Sequence, residues 1–126
     1  MNPNEKIFSL KDLNGICDSL KKKKKKIVLC HGHFNVIHPG HLRFLNFARR
    51  QGDLLIVSVL DQKKIPASVA DDYFQAEERA QAIAALEMVD AVNILEMPLV
   101  EFIKQVKPNF YIKGREFEND KASIAN

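Results

Sequence analysis

The chain has 126 residues, 46% of them hydrophobic, which suits one packed domain and is too apolar for a disordered segment. Its formal charge is +3, yet the lysine run from Lys21 to Lys26 exceeds that excess by itself, so the rest is mildly acidic and gives no electrostatic footprint for nucleic acid. No apolar run reaches membrane-spanning length, and the opening MNPNEKIFSL lacks a charged head followed by an apolar stretch, so neither a membrane partner nor a secretory signal is read.

Ser9 is placed to cap a helix from Leu10 to Lys21, with Leu10, Leu13, Ile16, Cys17 and Leu20 on one face. The lysine run reads as a solvated helix end leading into a strand, in preference to a nuclear signal or a polyanion patch. IVLC (Ile27 to Cys30) is a continuous apolar run, as in a strand buried on both faces. A polar loop from His31 to His38 follows. Pro39 then opens a helix to about Gln51, with Leu42, Leu45 and Ala48 inward and Gly52 as its stop. LLIVSVL (Leu54 to Leu60) is a second buried strand.

The stretch from Asp61 to Phe74 is polar, irregular and long for a connection, as binding loops are. Gln75 to Met88 carries strong helix formers. AVNIL (Ala91 to Leu95) is the third strand. Pro98 opens a helix to Lys107, and FYIK (Phe110 to Lys113) is the fourth strand, broken by Gly114. Strand and helix alternate, which predicts an α/β fold: a Rossmann-like three-layer sandwich with a parallel sheet. Ligands of such sheets bind beyond the carboxyl ends of the strands, where the loops after Cys30, Leu60 and Lys113 fall. The two cysteines, Cys17 and Cys30, form no Cys-x-x-Cys pair, as expected in a reducing compartment, so a cytoplasmic domain spanning 1–126 is expected.

The densest polar feature is HGHFNVIHPGH, which holds all four histidines. It is neither a Gly-x-Gly-x-x-Gly turn nor a lysine P-loop. It still suits phosphate, because amides at a helix start and the helix dipole favour an anion there. Gly40 would let a triphosphate approach the backbone. His38 and His41 share a face of the first turn and can donate to charge developing on a leaving pyrophosphate. The bland alternative for both is helix capping or surface packing. Zinc could also take Cys30 and the histidines, but a structural site needs a second ligand pair, which is missing, so no metal site is assigned. Arg79 alone would be a helix-surface arginine. Asp61 could touch ribose or a metal, though a local hydrogen bond capping the loop is preferred. Phe44, Phe47 and Phe102 read as core or interface residues, with no aromatic platform for nucleic acid.

On these residues the chain resembles the cytidylyltransferase-like nucleotidyltransferases, whose motif runs Gly-x-Phe-Asp, two residues, His-x-Gly-His. Here it stands as Gly32-His33-Phe34-Asn35-Val36-Ile37-His38-Pro39-Gly40-His41. The likeness continues through LRFLNFARRQGDLLIVSV, EERAQAIAALEMVDAV and KPNFYIKGREF, covering about residues 7 to 118. It is greatest to the nucleotidyltransferase half of bifunctional heptose-phosphate kinase/adenylyltransferases and weaker to glycerol-3-phosphate cytidylyltransferases.

The resemblance implies an HxGH nucleotidyltransferase fold and an enzyme that transfers AMP or CMP from ATP or CTP to a phosphorylated sugar or polyol. Pyrophosphate leaves, and Mg2+ accompanies the nucleotide. It implies that His38 and His41 contact the triphosphate and that Arg79 lies close to the ligands. Gly32, His33, Phe34, Asn35 and Gly40 would bind phosphate, and Lys113, Gly114 and Glu116 would lie against the nucleotide. Asp61, Lys63 and Lys64 would form the substrate loop. Its partners would be the nucleotide and the phosphorylated small molecule; a homodimer and a kinase, fused or separate, are also compatible with it.

Four departures stand out. Asn35 replaces the usual Asp. Ala70, Asp71 and Asp72 stand where relatives often carry Lys, Arg or Gly. Arg115 and Glu116 replace a small residue or Asp followed by Asp. The closing Ser/Thr-rich motif, which begins a helix over the triphosphate, is not found before Asn126, so that covering helix is expected to be missing. Three readings follow: an active nucleotidyltransferase, a catalytically impaired nucleotide-binding domain, and a partner module that keeps only the fold.

Overall fold

Four short apolar runs pair into one parallel sheet in the computed structural model, which describes residues 2–113. The strands are β1 (Ile27–Gly32), β2 (Leu54–Leu60), β3 (Ala91–Leu95) and β4 (Phe110–Tyr111). Their order is β3-β2-β1-β4. The chain therefore steps outward from β1 to β3, then crosses back to place β4 on the other side of β1. That reversal makes the gap between the carboxyl ends of β1 and β4 the topological switch point, where open sheets of this kind bind ligands.

Alternation along β1 explains the two cores. Val28 and Cys30 face α2 (Pro39–Arg49) and α3 (Ala76–Ala84), packing with Leu45, Ala48, Ala80 and Ile83. Ile27 and Leu29 face α1 (Leu10–Lys22) and α4 (Leu99–Val106), packing with Leu13, Cys17, Phe102 and Val106. Helices thus cover both faces of the sheet, and the three-layer α/β sandwich expected from the alternation is the architecture found. Ser9 caps α1 as expected, its hydroxyl accepting the Asp12 amide at 3.2 Å.

Several boundaries differ from the sequence reading. β1 runs on through His31 and Gly32, because these residues still pair with Ser58 and Val59 of β2. The expected helix from Gln75 to Met88 ends at Ala84. Its helix-forming composition continues, but Leu86 and Met88 turn back onto the core. Lys6, from the distant N-terminal segment, then donates to the carbonyls of Leu86 and Val89 at 3.1 and 2.8 Å. A tertiary partner thus satisfies acceptors that another helical turn would otherwise occupy. The loop after Leu60 contains two 3-10 turns, Gln62–Lys64 and Ala70–Asp72. Phe102 is fully buried, whereas Phe47 is 48% exposed and not a core residue. No helix among the described residues is long and apolar enough to cross a membrane.

Candidate active site

The polar sequence between β1 and α2 forms a tight turn at the switch point. Phe34 adopts a left-handed backbone, with φ 50°. Such a residue is strained unless its surroundings hold it. Here the ring is buried over Gly32, where a β-carbon would lie 2.9 Å from the Phe34 ring. This is why the position before His33 must be glycine. The amides of Phe34, Asn35, Val36 and Ile37 make no hydrogen bond among the described residues. They are the backbone donors available to an anion.

At the start of α2 the two histidines form a reciprocal cap. The Gly40 amide donates to His38 Nδ1 at 3.0 Å, and the His38 amide donates to His41 Nδ1 at 3.2 Å. The capping and ligand readings of these residues are therefore not exclusive. With each Nδ1 accepting from a backbone amide, a neutral ring carries its proton on Nε2. The rings lie 4.0 Å apart, centroid to centroid, and form one paired imidazole edge at the start of α2. The same cap corrects the expectation that the first amides of α2 point at the ligand. The Gly40 amide serves His38, and the His41 and Leu42 amides serve the His38 carbonyl. Gly40 also has a nearer reason than ligand approach, since a β-carbon there would meet the His38 ring at 2.7 Å.

Arg79 is no surface residue: it is 1% exposed. Its Nη1 donates to the His33 carbonyl at 2.8 Å, its Nε to the Phe74 carbonyl at 2.8 Å and its Nη2 to Gln62 Oε1 at 3.1 Å. One guanidinium ties the turn between β1 and α2 to both ends of the long loop. Burial lowers its pKa from the ordinary arginine value, and Tyr73, Asp61 and Glu77 act the other way. The cation therefore positions backbone, which the sequence could not reveal. Asn35 makes a second tie: its Oδ1 accepts the Phe74 amide at 2.8 Å and its Nδ2 donates to the Asp72 carbonyl at 3.0 Å. The amide uses its donor and its acceptor on one loop, a pattern a carboxylate cannot reproduce. His33 Nδ1 lies 3.1 Å from the Tyr73 hydroxyl, a third link across the same gap.

The remaining residues sort by position. Lys63 and Lys64 are exposed on the first 3-10 turn. Asp61 makes no side-chain cap bond, contrary to the preferred reading; the turn is anchored instead by its amide, which donates to the Leu95 carbonyl at 3.1 Å. Lys113 is exposed just beyond β4, with its ammonium 5.9 Å from the Tyr111 ring centroid. Gly114, Glu116 and the expected loss of a covering helix lie outside the described residues. Cys30 is wholly buried, and desolvation pushes its thiol up to about 12, so it supplies neither a nucleophile nor a thiolate ligand. Among the described residues, no three His, Cys, Asp or Glu side chains are grouped to hold a metal ion. Gln62, Ser58 and Tyr73 escaped the sequence reading because their roles depend on partners 17 or more positions away.

The parallel sheet thus carries a histidine-capped helix start beside its switch point. The chain belongs to the cytidylyltransferase-like family, whose sequence profile matches residues 29–123. It is 36% identical over 117 residues to the "Bifunctional protein HldE" of Helicobacter hepaticus, a match covering 90% of this chain and 24% of that protein. The Nitratiruptor protein of the same name is 35% identical over 117 residues, covering 90% and 25%. The chain thus spans about a quarter of the curated relatives it matches. Among solved structures, a lipopolysaccharide core biosynthesis protein from Thermoplasma volcanium superposes with a TM-score of 0.58 at 25% identity, covering 69% of this chain and 72% of that one. A pantoate-beta-alanine ligase from Francisella tularensis superposes with a TM-score of 0.62 at 18% identity, covering 83% and 54%, and shares the fold alone.

Proposed function

We propose that this chain transfers AMP or CMP from a nucleoside triphosphate to a phosphorylated sugar or polyol and releases pyrophosphate. The observation that carries the reading is the paired imidazole edge at the start of α2, beside the switch point. The substrate would enter as its magnesium complex, the metal neutralising triphosphate charge. The amides from Phe34 to Ile37 would hold phosphate oxygens, as the amino ends of turns and nests do. An oxygen of the acceptor phosphate would attack the α-phosphorus in line. As that bond forms, the bond from the α-phosphorus to the bridging oxygen breaks, and pyrophosphate leaves with the electron pair. His38 and His41 Nε2–H groups would stabilise the charge that grows on phosphoryl oxygens during this step. Lys63, Lys64 and Lys113 would add positive charge at the rim, and Gly114 and Glu116 would meet the base. The reaction needs no covalent enzyme intermediate. The resemblance to bifunctional kinase/adenylyltransferases supports a role alongside a kinase, fused or separate.

A second reading, a catalytically impaired nucleotide-binding domain or partner module, is motivated by Asn35 in place of the family's Asp. The clamp that Asn35 makes favours an enzyme adapted to the amide. The test is pyrophosphate release from four nucleotides against phosphorylated sugars and polyols, run with wild type and Asn35→Asp. The active-enzyme reading expects wild-type turnover and a fall of about tenfold in the variant, because a carboxylate would face the Asp72 carbonyl where an amide now donates. Turnover that appears only in Asn35→Asp would support the impaired reading. No turnover and no nucleotide binding in either form would leave only the partner module.

A further inference from the structure

The lysine run holds more charge than the end of α1 requires. Lys22, Lys23, Lys24, Lys25 and Lys26 are all exposed, and none of their side chains is hydrogen-bonded or ion-paired among the described residues. Lys21 is the one that serves the fold: its ammonium donates to the Val106 carbonyl at the end of α4. Cations in the last turn offset a helix dipole, and Lys21 and Lys22 already stand there in α1. Lys24, Lys25 and Lys26 lie beyond the cap.

The chain also keeps lysine where the backbone disfavours it. Among the described residues, three that are not glycine adopt a left-handed backbone: Phe34 and two lysines. Lys24 follows the cap of α1 at φ 60°, and Lys107 caps α4 at φ 52°. Glycine or asparagine is the usual residue at such a helix stop. A strained residue kept in that place points to a use for its side chain. The bond from Lys21 to Val106 sets the two helix ends side by side, so both lysines lie on one edge of the molecule.

That edge is the amino end of the sheet. Lys26 precedes β1 and the 33–37 turn follows it, so six strand residues at about 3.3 Å each hold the two about 20 Å apart. The Debye length at physiological ionic strength is about 8 Å, so these lysines do not act on an anion at the far end. The nearby carboxylates are engaged: Asp53 Oδ2 accepts the Lys26 amide at 2.8 Å, and Asp90 Oδ2 pairs with Arg49 Nε at 2.9 Å. Asp18, four residues before Lys22, offsets one charge. Phe110 opens β4, pairs with Val28 of β1 and is 46% exposed. Val28 follows Lys26 by two residues, so an exposed ring flanks the cationic edge.

We propose that this amino edge of the sheet docks on an anionic lipid bilayer, with residues 22–26 and Lys107 over the headgroups and the Phe110 ring at the acyl boundary. Lysine is a compact point charge, which suits mobile headgroups. A nucleic-acid duplex is held in register by forked arginines or by an element that fits a groove, and this turn offers neither. Polybasic attraction and one apolar ring together give weak, reversible attachment. The docked protein leaves the 33–37 turn facing solution. The inference is independent of the reaction proposed above.

The test is cosedimentation of the full chain with vesicles of equal parts phosphatidylglycerol and phosphatidylcholine, beside vesicles of phosphatidylcholine alone. At about 0.1 M salt the anionic vesicles should bind at least about tenfold more tightly. At about 1 M salt, where the Debye length falls from about 10 to about 3 Å, the difference should vanish. Lys23→Gln and Lys25→Gln should each weaken binding to the anionic vesicles about fivefold, the scale of one lysine near a charged surface. Lys24→Gly should weaken it as much while raising the midpoint of thermal unfolding, because glycine relieves the left-handed turn. A residue kept for structure alone would not separate those two readouts. Phe110→Ser should weaken binding about fivefold without changing its dependence on salt. Equal affinity for the two vesicle types, binding that survives the higher salt, or full binding by the lysine or Phe110 variants overturns the inference. So does tighter binding to a DNA duplex than to the anionic vesicles at equal phosphate, which would make this edge a nucleic-acid surface.

Discussion

Replacing His38 with asparagine is expected to lower turnover about a hundredfold while changing stability by less than about 0.5 kcal/mol. Asparagine is among the best helix caps, and its Oδ1 can accept the Gly40 amide that His38 Nδ1 now accepts. What it cannot replace is the Nε2–H beside that of His41. Losing one such donor costs about a hundredfold to a thousandfold in turnover. His41→Ala should lose as much activity and also about 1 kcal/mol of stability, because the His38 amide loses its acceptor. Steady-state kinetics and urea denaturation on the same preparations separate the two effects. Full activity in both variants would mean that the imidazole edge does not face the reacting phosphate.

Arg79→Met is expected to destabilise the protein by about 3 kcal/mol or more, the scale of leaving several buried acceptors without donors. The His33 and Phe74 carbonyls and Gln62 Oε1 would all lose their partner. Arg79→Lys should fall between, since a compact ammonium cannot donate in three fixed directions as a guanidinium does. Because the guanidinium holds the turn between β1 and α2 to the long loop, stability and kcat should drop together across the series. Loss of activity at unchanged stability in Arg79→Lys would instead make Arg79 a direct ligand contact.

What could be read from the sequence was what depends on neighbours in the chain. The apolar run at Ile27, the cap at Ser9 and the proline at Pro39 each act within a few residues, so their elements were placed nearly correctly. The His38–His41 turn was legible for the same reason, being a local spacing of three. Long-range partners were not legible. Lys6 shortens α3 from 80 or more positions away. The sequence shows that Asn35 replaces the usual Asp, but not its two-bond clamp on the 72–74 segment. Arg79 could be matched to its relatives, but whether it reaches ligand or backbone depends on burial, which no helical pattern reports. His31 read as a loop residue because its strand partner, Ser58, lies 27 positions on.

The proposed reaction joins a nucleoside monophosphate to a phosphorylated acceptor by chemistry at this turn. Phosphorus NMR of wild-type protein with magnesium, a nucleoside triphosphate and the acceptor panel tests it most directly. The expected spectrum gains inorganic pyrophosphate and, in equal amount, the coupled pair of signals of a new diphosphate diester, both suppressed about a hundredfold in rate by His38→Asn. Formation of a nucleoside diphosphate with orthophosphate or a newly phosphorylated acceptor would place the attack at the γ-phosphorus and contradict the account.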